Sequence, residues 1–400
     1  MCRVVLAIMC IQFMVWPLMA DDSGAVDEMS RRLAMPAAKA IETELVITLE
    51  YISNVKGGIE RGELLLGNVD LTAEIDTEGI GLWKGGTLFL YGLGNFNSGK
   101  LPTEIIGDIQ ATSNIEAPDT AKLYEAWYNH EFLDGALAIL LGLYDYNSEF
   151  SVMEYAGVFP NSSFGIGPQI SQVGPSIFPT TSLALRLNAK PSPSSYMLVT
   201  LYDGVPGDPA HERSNPVILK ESDGLFYGVE AGLTPDEDAD SPYYKLAIGG
   251  WYHTCDIEDC YGNETDKNGG IYILGELSVF REDDKNQGLG IFAQYGNAME
   301  DRSEIAYSVI GGLNYTGLIP GRDEDIFGLG VAHAVLSDDF RATEDGAGLD
   351  QAETAIEAVY AAYLTDRVTV LLDAQYVINP SSEPDIEDAL QLGGRLSFVF

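Results

Sequence analysis

The chain has 400 residues, with 61 Asp and Glu against 22 Lys and Arg, and a formal net charge of −39. This acidity argues against a nucleic-acid partner, whose phosphates require Lys and Arg for neutralisation. A hydrophobic content of 46% is too high for an intrinsically disordered chain. The 43 glycines and 21 tyrosines favour a protein of strands and turns.

Residues 1–20 have the pattern of a secretory signal peptide, with a basic start, an apolar run over 4–15 and small Ala20 at the end. A membrane anchor is the alternative, although the apolar run is short for a spanning helix. Residues 21–40 are predicted to be a periplasmic lead-in segment, and residues 41–400 a transmembrane domain.

Beyond the signal peptide, segments of about ten residues alternate between apolar and polar positions. In SLALRLNAK, Leu183, Leu185 and Leu187 lie on one face of a strand, with Arg186 and Asn188 on the other. Sixteen strands are predicted, starting near residues 43, 64, 86, 121, 136, 182, 195, 224, 242, 270, 288, 304, 325, 353, 367 and 389.

The connections between these strands alternate in length. The short ones include 133–135, 190–194, 282–287 and 365–367, and the long ones include 94–120, 146–181, 204–223, 254–269 and 338–352. Short periplasmic turns and longer extracellular loops are typical of outer-membrane barrels, and closure satisfies every backbone hydrogen bond in lipid. We therefore predict an all-β, transmembrane antiparallel β-barrel of about 16 strands in a bacterial outer membrane.

The longest connection, 146–181, lies between the fifth and sixth predicted strands and is weakly charged in its centre. We interpret it as a loop folded into the pore, with an external flap as the alternative. Its candidate constriction residues are Asn161, Ser162, Ser163, Phe164 and Gln169.

Candidate sugar-contacting residues share the polar, lumen-facing parity. A sugar has apolar C–H faces and a rim of hydroxyls, so Trp127 could stack on a ring while Glu125 and Arg186 bind hydroxyls. Ordinary packing of Trp127, and a lumen salt bridge between Glu125 and Arg186, remain open alternatives.

Acidic side chains dominate the predicted lumen, which favours cations in small-ion conductance. The acids are Glu50, Asp70, Glu74, Asp76, Glu125, Glu230, Glu276, Glu357 and Asp373, and the bases are Arg186, Lys190, Lys245 and Arg395. Asp70, Glu74 and Arg395 are further candidates for the substrate path.

Four residues separate Cys255 from Cys260 in an acidic loop, and an exported chain meets oxidising conditions. A small disulfide is predicted, with metal binding as the alternative. The acidic segment SDDFRATEDGAGLD is a candidate Ca²⁺ loop, although surface solvation explains it equally well.

Enzymatic interpretations have little support. The four histidines, His130, His211, His253 and His333, are scattered, and no catalytic, nucleotide-binding or cofactor motif is present. No catalytic residue, cofactor or structural metal is therefore assigned, and an outer-membrane hydrolase remains a minor alternative.

Several motifs are long enough to be specific, namely LGNVDLTAEIDTEGIGLWKGG, SNIEAPDTAKLYEAWY, GLYDYNSEF, NSSFGIGP, GPSIFPTTSLALRL, DGVPGDP and QYVINP. Together they resemble the carbohydrate-selective porin family, OprB type, of Gram-negative outer membranes. The resemblance runs from about Ile41 to Phe400 and implies a sixteen-stranded barrel that passes glucose and similar small sugars by diffusion. The terminal Phe400 resembles the signal read by the barrel assembly machinery.

The expected function is passive diffusion of small carbohydrates through a water-filled barrel. The alternatives are a general, weakly cation-preferring porin and a structural or adhesive barrel with a closed pore. The expected partners are small sugars, outer-membrane lipids, the assembly machinery and, in a homotrimer, further copies of the chain.

Overall fold

The structure is a computed structural model that describes residues 40–400 except 212, 237–240, 256, 261, 266, 283 and 285. The expected signal peptide, 1–20, and the lead-in segment up to residue 39 lie outside the described residues. Within the described part, no helix is both long and apolar enough to cross a membrane.

Sixteen antiparallel strands form one closed barrel, in which each strand pairs with its neighbours along the chain and the first pairs with the last. The strands are β1 Ile41–Lys56, β2 Gly62–Asp76, β3 Gly86–Asn97, β4 Thr120–Phe132, β5 Leu137–Tyr144, β6 Ser182–Ser192, β7 Ser195–Asp203, β8 Leu225–Leu233, β9 Tyr244–His253, β10 Asn268–Arg281, β11 Gly288–Ala298, β12 Ile305–Thr316, β13 Ile326–Leu336, β14 Ala352–Thr365, β15 Val368–Ile378 and β16 Ala389–Val399. The predicted barrel is confirmed, and every strand begins close to its predicted start.

Short helical segments occur in the connections. They are α1 Pro102–Ile106, α2 Pro168–Ser171 and α3 Asp338–Arg341, with 3₁₀ turns at Tyr146–Ser148, Glu154–Ala156, Ser162–Phe164, Glu221–Asp223, Glu300–Arg302 and Pro380–Ser382. A two-stranded hairpin pairs Ile257–Glu258 with Glu264–Thr265 in the connection after β9.

Apolar side chains alternate outward and polar ones inward along the strands, as the sequence predicts. On β6, Leu185 is 48% exposed on the outer face, whereas Arg186 is 6% exposed on the inner face. On β16, Leu392 is 43% exposed, whereas Gln391 and Arg395 are buried. An outer surface of this kind is stable against lipid hydrocarbon and not against water.

The two ends of the barrel differ. The chain termini of the barrel domain meet at one end, where the Phe400 N–H donates to the Leu45 carbonyl at 2.9 Å. The turns 133–136, 193–194 and 366–367 lie at this end, which we call the short-turn end. The opposite, long-loop end carries the connections 98–119, 145–181, 204–224 and 337–351.

Two of the long connections fold into the barrel, and most of their residues are buried. We call 98–119 the first inner loop and 145–181 the second inner loop. The sequence predicts only the second. The main apolar core joins the second inner loop to the wall, and it includes Phe150, Phe159, Phe164 and Ile170 of the loop with Phe292, Ile310, Ala332 and Val359 of the strands.

Candidate constriction and substrate path

Carboxylates on the barrel wall hold the second inner loop by its backbone. Each of three inward-facing glutamates accepts a hydrogen bond from a loop N–H group. These bonds join Glu230 to Ser151 at 2.8 Å, Glu276 to Tyr155 at 3.0 Å and Glu357 to Asn161 at 3.3 Å. Each bond satisfies a loop N–H group that would otherwise be unpaired inside the barrel, so these contacts fix the path of the loop across the lumen.

The first inner loop is held in the same way. Glu353 of β14 accepts from the backbone N–H groups of Ile109 at 2.9 Å and Gln110 at 3.1 Å. It also accepts from Ser381 N–H at 2.7 Å. One wall carboxylate thus joins the first inner loop to the connection before β16.

Arg395 lies behind the first inner loop rather than on the open lumen. Its Nε is 3.1 Å from Glu50 Oε1, and both side chains are almost fully buried. Ser113 of the first inner loop donates to Glu50. Arg395 therefore neutralises a buried carboxylate, and its predicted place in the substrate path is not supported by this position.

Most of the predicted lumen acids are covered by the loops, which corrects the expectation that they face open water. Six of them are buried, namely Glu50, Glu125, Glu230, Glu276, Glu357 and Asp373. Glu74 and Asp76 near the short-turn end remain exposed, and Asp70 is partly exposed. Among the predicted lumen acids, the exposed ones therefore lie near the short-turn end of the barrel.

Glycines on the wall provide the floor on which the second inner loop packs. A Cβ atom added to any of four inward glycines would collide with a loop aromatic ring. The distances are 2.5 Å from Gly330 to Phe164, 2.8 Å from Gly328 to Phe159, 2.6 Å from Gly228 to Tyr146 and 2.7 Å from Gly290 to Tyr155. The loop thus lies inside the barrel and is not an external flap.

The five candidate constriction residues anchor this loop. Asn161, Ser162, Ser163, Phe164 and Gln169 are at most 2% exposed. Asn161 Nδ2 donates to Gln375 Oε1 at 3.1 Å, and Ser163 Oγ donates to Gln110 Oε1 of the first inner loop at 3.0 Å. Their side chains contact the wall and the other loop, so they support the constriction rather than line its free edge.

A partly exposed aromatic cluster lies on the inner face of β3 to β5. The rings of Phe89 and Trp127 stack with centroids 4.8 Å apart, and Tyr144 contacts Trp127 edge-on at 6.0 Å. Trp127 Nε1 donates to Glu125 Oε2 at 2.8 Å, which fixes the orientation of the indole. Trp127 and Glu125 thus lie in contact on the inner side of β4.

Arg186 of β6 lies next to this cluster, but its partner is not Glu125. Its Nε is 2.7 Å from Glu149 Oε2, and its guanidinium lies 5.9 Å from the ring centre of Tyr144. Glu149 belongs to the second inner loop, and its side chain remains 23% exposed. Sequence reasoning missed Glu149 because strand parity carries no information about where a loop side chain lands.

Asp70, the remaining path candidate, accepts a hydrogen bond from the Tyr91 hydroxyl at 2.6 Å. Tyr91 is on β3, the strand that also carries Phe89. Asp70 therefore lies on the same side of the lumen as the aromatic cluster, as does Glu74, whose register partner on β3 is Phe89.

Three buried carboxyl groups in the inner loops have raised pKa values. Burial raises the pKa of Asp108 to about 7 and that of Glu116 to about 8, although Thr103 donates a hydrogen bond to Glu116. Burial also raises the pKa of Asp145 to about 7, at the start of the second inner loop.

The predicted disulfide is not present: among the described residues, Cys255 and Cys260 are not joined. The Cys260 thiol instead points at the carbonyl oxygens of Glu300 and Ser303, at 3.7 and 3.9 Å. In the candidate Ca²⁺ segment, the Ser337 hydroxyl accepts from N–H groups of α3. Across the described residues, no group of three His, Cys, Asp or Glu side chains is arranged to hold a metal ion.

Comparison with known proteins gives one family. The profile described as "Carbohydrate-selective porin, OprB family" matches residues 61–400. A curated relative, Porin B of Pseudomonas aeruginosa, is 24% identical over 403 residues, covering 88% of this chain and 87% of the relative.

Solved structures share the fold. The high-pH structure of Pseudomonas putida OprB has a TM-score of 0.80 at 19% identity, covering 91% of this chain and 95% of that one. The low-pH structure of the same protein has a TM-score of 0.59 at 18% identity, covering 94% and 97%. The outer-membrane channel DcaP of Acinetobacter baumannii gives 0.54 at 9% identity, covering 90% and 97%.

Proposed function

Since this chain belongs to the carbohydrate-selective OprB porin family, we propose that it lets glucose-like monosaccharides diffuse passively across the bacterial outer membrane. Family membership and the closed barrel make the protein an outer-membrane channel rather than an enzyme. The short-turn end is then periplasmic and the long-loop end extracellular.

One observation carries the preference for sugars: a partly exposed aromatic surface adjoins a charged hydrogen-bonding pair. Trp127 and Phe89 offer an apolar face, and the Arg186–Glu149 ion pair lies beside Tyr144, which also contacts Trp127. A pyranose ring can stack its C–H face on the indole while its hydroxyls exchange hydrogen bonds with the guanidinium and the carboxylate. Passage of small ions does not require an aromatic surface such as that of Trp127 and Phe89.

Sugar block of ion current through single channels tests this proposal. Trp127→Ala is expected to raise the half-blocking glucose concentration about threefold to tenfold, the range that aromatic contacts contribute. Tyr295→Ala, which removes an outward ring that is 44% exposed, is the matched control. Unchanged block in Trp127→Ala, or wild-type liposomes that swell in glucose no faster than empty ones, would contradict the proposal.

A general, weakly cation-preferring porin is the second candidate, because Glu74 and Asp76 remain exposed at the periplasmic mouth. Swelling rates for sugars and amino acids of equal size separate the two, since a general porin passes both alike. An adhesive barrel with a closed pore would pass neither.

The proposal extends to partners. The outward apolar band suits outer-membrane lipids, and exposed Phe400 after β16 suits recognition by the assembly machinery. A homotrimer remains a proposal. An outward apolar groove lined by Tyr51, Leu65 and Leu372 beside Gly394 is the surface on which to test it by cross-linking.

A further inference from the structure

A separate cavity of about 230 Å³ lies between the second inner loop and the inner wall of β6 to β9, near the periplasmic end. Its lining includes Glu149, Asn188, Lys190, Tyr196, Leu198 and Lys245. The volume is several times the roughly 30 Å³ share of a liquid water molecule and below the roughly 300–1,000 Å³ of drug-sized ligand sites. It therefore suits one sugar ring.

The cavity continues the path described above. Arg186, Asn188 and Lys190 alternate inward along β6, so Asn188 lies about 7 Å farther along the strand toward its periplasmic end than Arg186, at about 3.4 Å per residue. Glu149 contributes to both places, because it pairs with Arg186 and also lines the cavity. A sugar leaving Trp127 and Arg186 toward the periplasm meets this cavity next.

The polar groups of the cavity fit a neutral, hydroxyl-bearing ligand. Asn188 Oδ1 is buried, and no described residue donates a hydrogen bond to it. Such an acceptor is costly to leave unpaired. A ligand hydroxyl can satisfy it once the side-chain amide turns toward the cavity, a rotation that the broad χ2 torsion of asparagine permits. The four charged side chains that line the cavity balance in sign, with Glu149 and Glu154 against Lys190 and Lys245. Glu149 also pairs with Arg186, and Lys245 is 4.0 Å from Glu230.

Apolar surface is also available for the C–H face of a ring. Leu198 and Val152 line the cavity together with the ring of Tyr196. The Tyr196 hydroxyl donates to Glu230 Oε1 at 2.6 Å, and the ring packs over Gly232, where an added Cβ would lie 2.5 Å from it. The ring is therefore fixed in position before any ligand arrives.

We propose that this cavity is a second sugar-binding site, on the periplasmic side of the constriction, that takes one neutral hexose unit with Asn188 Oδ1 accepting a hydroxyl hydrogen. The inference rests on the proposed sugar-channel function. A disaccharide fits with one ring beside Trp127 and the other in the cavity, because about 7 Å separates Arg186 from Asn188.

The test compares glucose block of single-channel current with glucose added on the periplasmic side. Asn188→Leu is expected to raise the half-blocking concentration about threefold to tenfold, the equivalent of one lost hydrogen bond. Asn188→Asp keeps an oxygen acceptor at this position, so its half-blocking glucose concentration is expected to equal that of the wild type. Thr369→Val, on the opposite wall, is the control.

Salt conductance without sugar shows that each variant forms an intact pore. If Asn188→Leu does not assemble, Asn188→Ala removes the same acceptor and is judged by the same criterion. Wild-type block in an intact Asn188→Leu or Asn188→Ala pore, together with weakened block in Trp127→Ala, overturns the second site while the sugar channel stands. Absence of glucose block and of swelling in the wild type would instead overturn the proposed function.

Discussion

Phe164→Ala tests whether the second inner loop is fixed by packing against the wall. Phe164 is 1% exposed, and its ring stacks on Phe159 with centroids 4.5 Å apart. Phe292 lies 6.0 Å away, and Gly330 forms the floor beneath the ring. The substitution leaves a hole between a loop and rigid β-strands, where little relaxation is available.

The expected cost is about 3–4 kcal/mol, within the range for removing a fully buried phenylalanine. At 1.4 kcal/mol per factor of ten, the locally open state of the loop becomes about 10²–10³ times more populated. The hydrogen bonds that Glu230 and Glu276 accept from the loop backbone remain, so we expect local opening and an intact barrel.

Hydrogen exchange of residues 159–166 in detergent measures this opening directly. Exchange there should accelerate by the factor given above, while exchange in the strands stays unchanged. Phe164→Leu is the matched control, since it retains much of the apolar volume and should accelerate exchange far less. Equal exchange in Phe164→Ala and the wild type would refute the idea that this ring anchors the loop.

Three further predictions follow from the loops and the mouth. Because burial raises the pKa values of Asp108 and Glu116 above those of carboxyls in water, the docked first inner loop binds protons more tightly than the undocked one. Its docking should be firmest below about pH 4, weaken steadily as the pH rises toward 8, where both groups are ionised, and change little above that. Limited proteolysis at 98–119 should show this trend, and Glu116→Gln should flatten it. Under a salt gradient the reversal potential should show a preference for cations, and the double substitution Glu74→Gln and Asp76→Asn should reduce that preference. A wild-type reversal potential that shows anion preference would contradict this prediction. Gly330→Val should displace Phe164 and give frequent excursions to higher conductance, and a steady wild-type current would count against the glycine floor.

The barrel was predictable from sequence because its pattern is local. Each strand separates two media, so Leu185 and Leu187 face outward and Arg186 inward within three residues. The positions where strands start follow from the same two-residue period, and the composition of the turns shows where that period ends. No long-range contact is needed to read either feature.

The interior of the lumen was less predictable because parity identifies a face but not what covers it. Glu230 and Glu357 were correctly assigned inward, yet both hold loop backbone rather than face water. Predicting the Arg186–Glu149 ion pair would require the path of the second inner loop, which is 37 residues long and runs over 145–181. One usable signal was missed: Gly328 and Gly330 occupy inward positions of β13, where a missing side chain marks a close neighbour.

The covered parts of the wall determine where selectivity can arise. The second inner loop is hydrogen-bonded to β8, β10, β12 and β14 through Glu230, Glu276, Asn314 and Glu357. The first inner loop covers β14 and the β1–β16 seam through Glu353 and Glu50. The partly exposed aromatic cluster lies on the remaining wall, on β3 to β5 with Arg186 of β6 beside it. We therefore expect a solute that passes the loops to move along Trp127 and Arg186. Substitutions there should change sugar selectivity, whereas those on the covered wall should change stability and gating first.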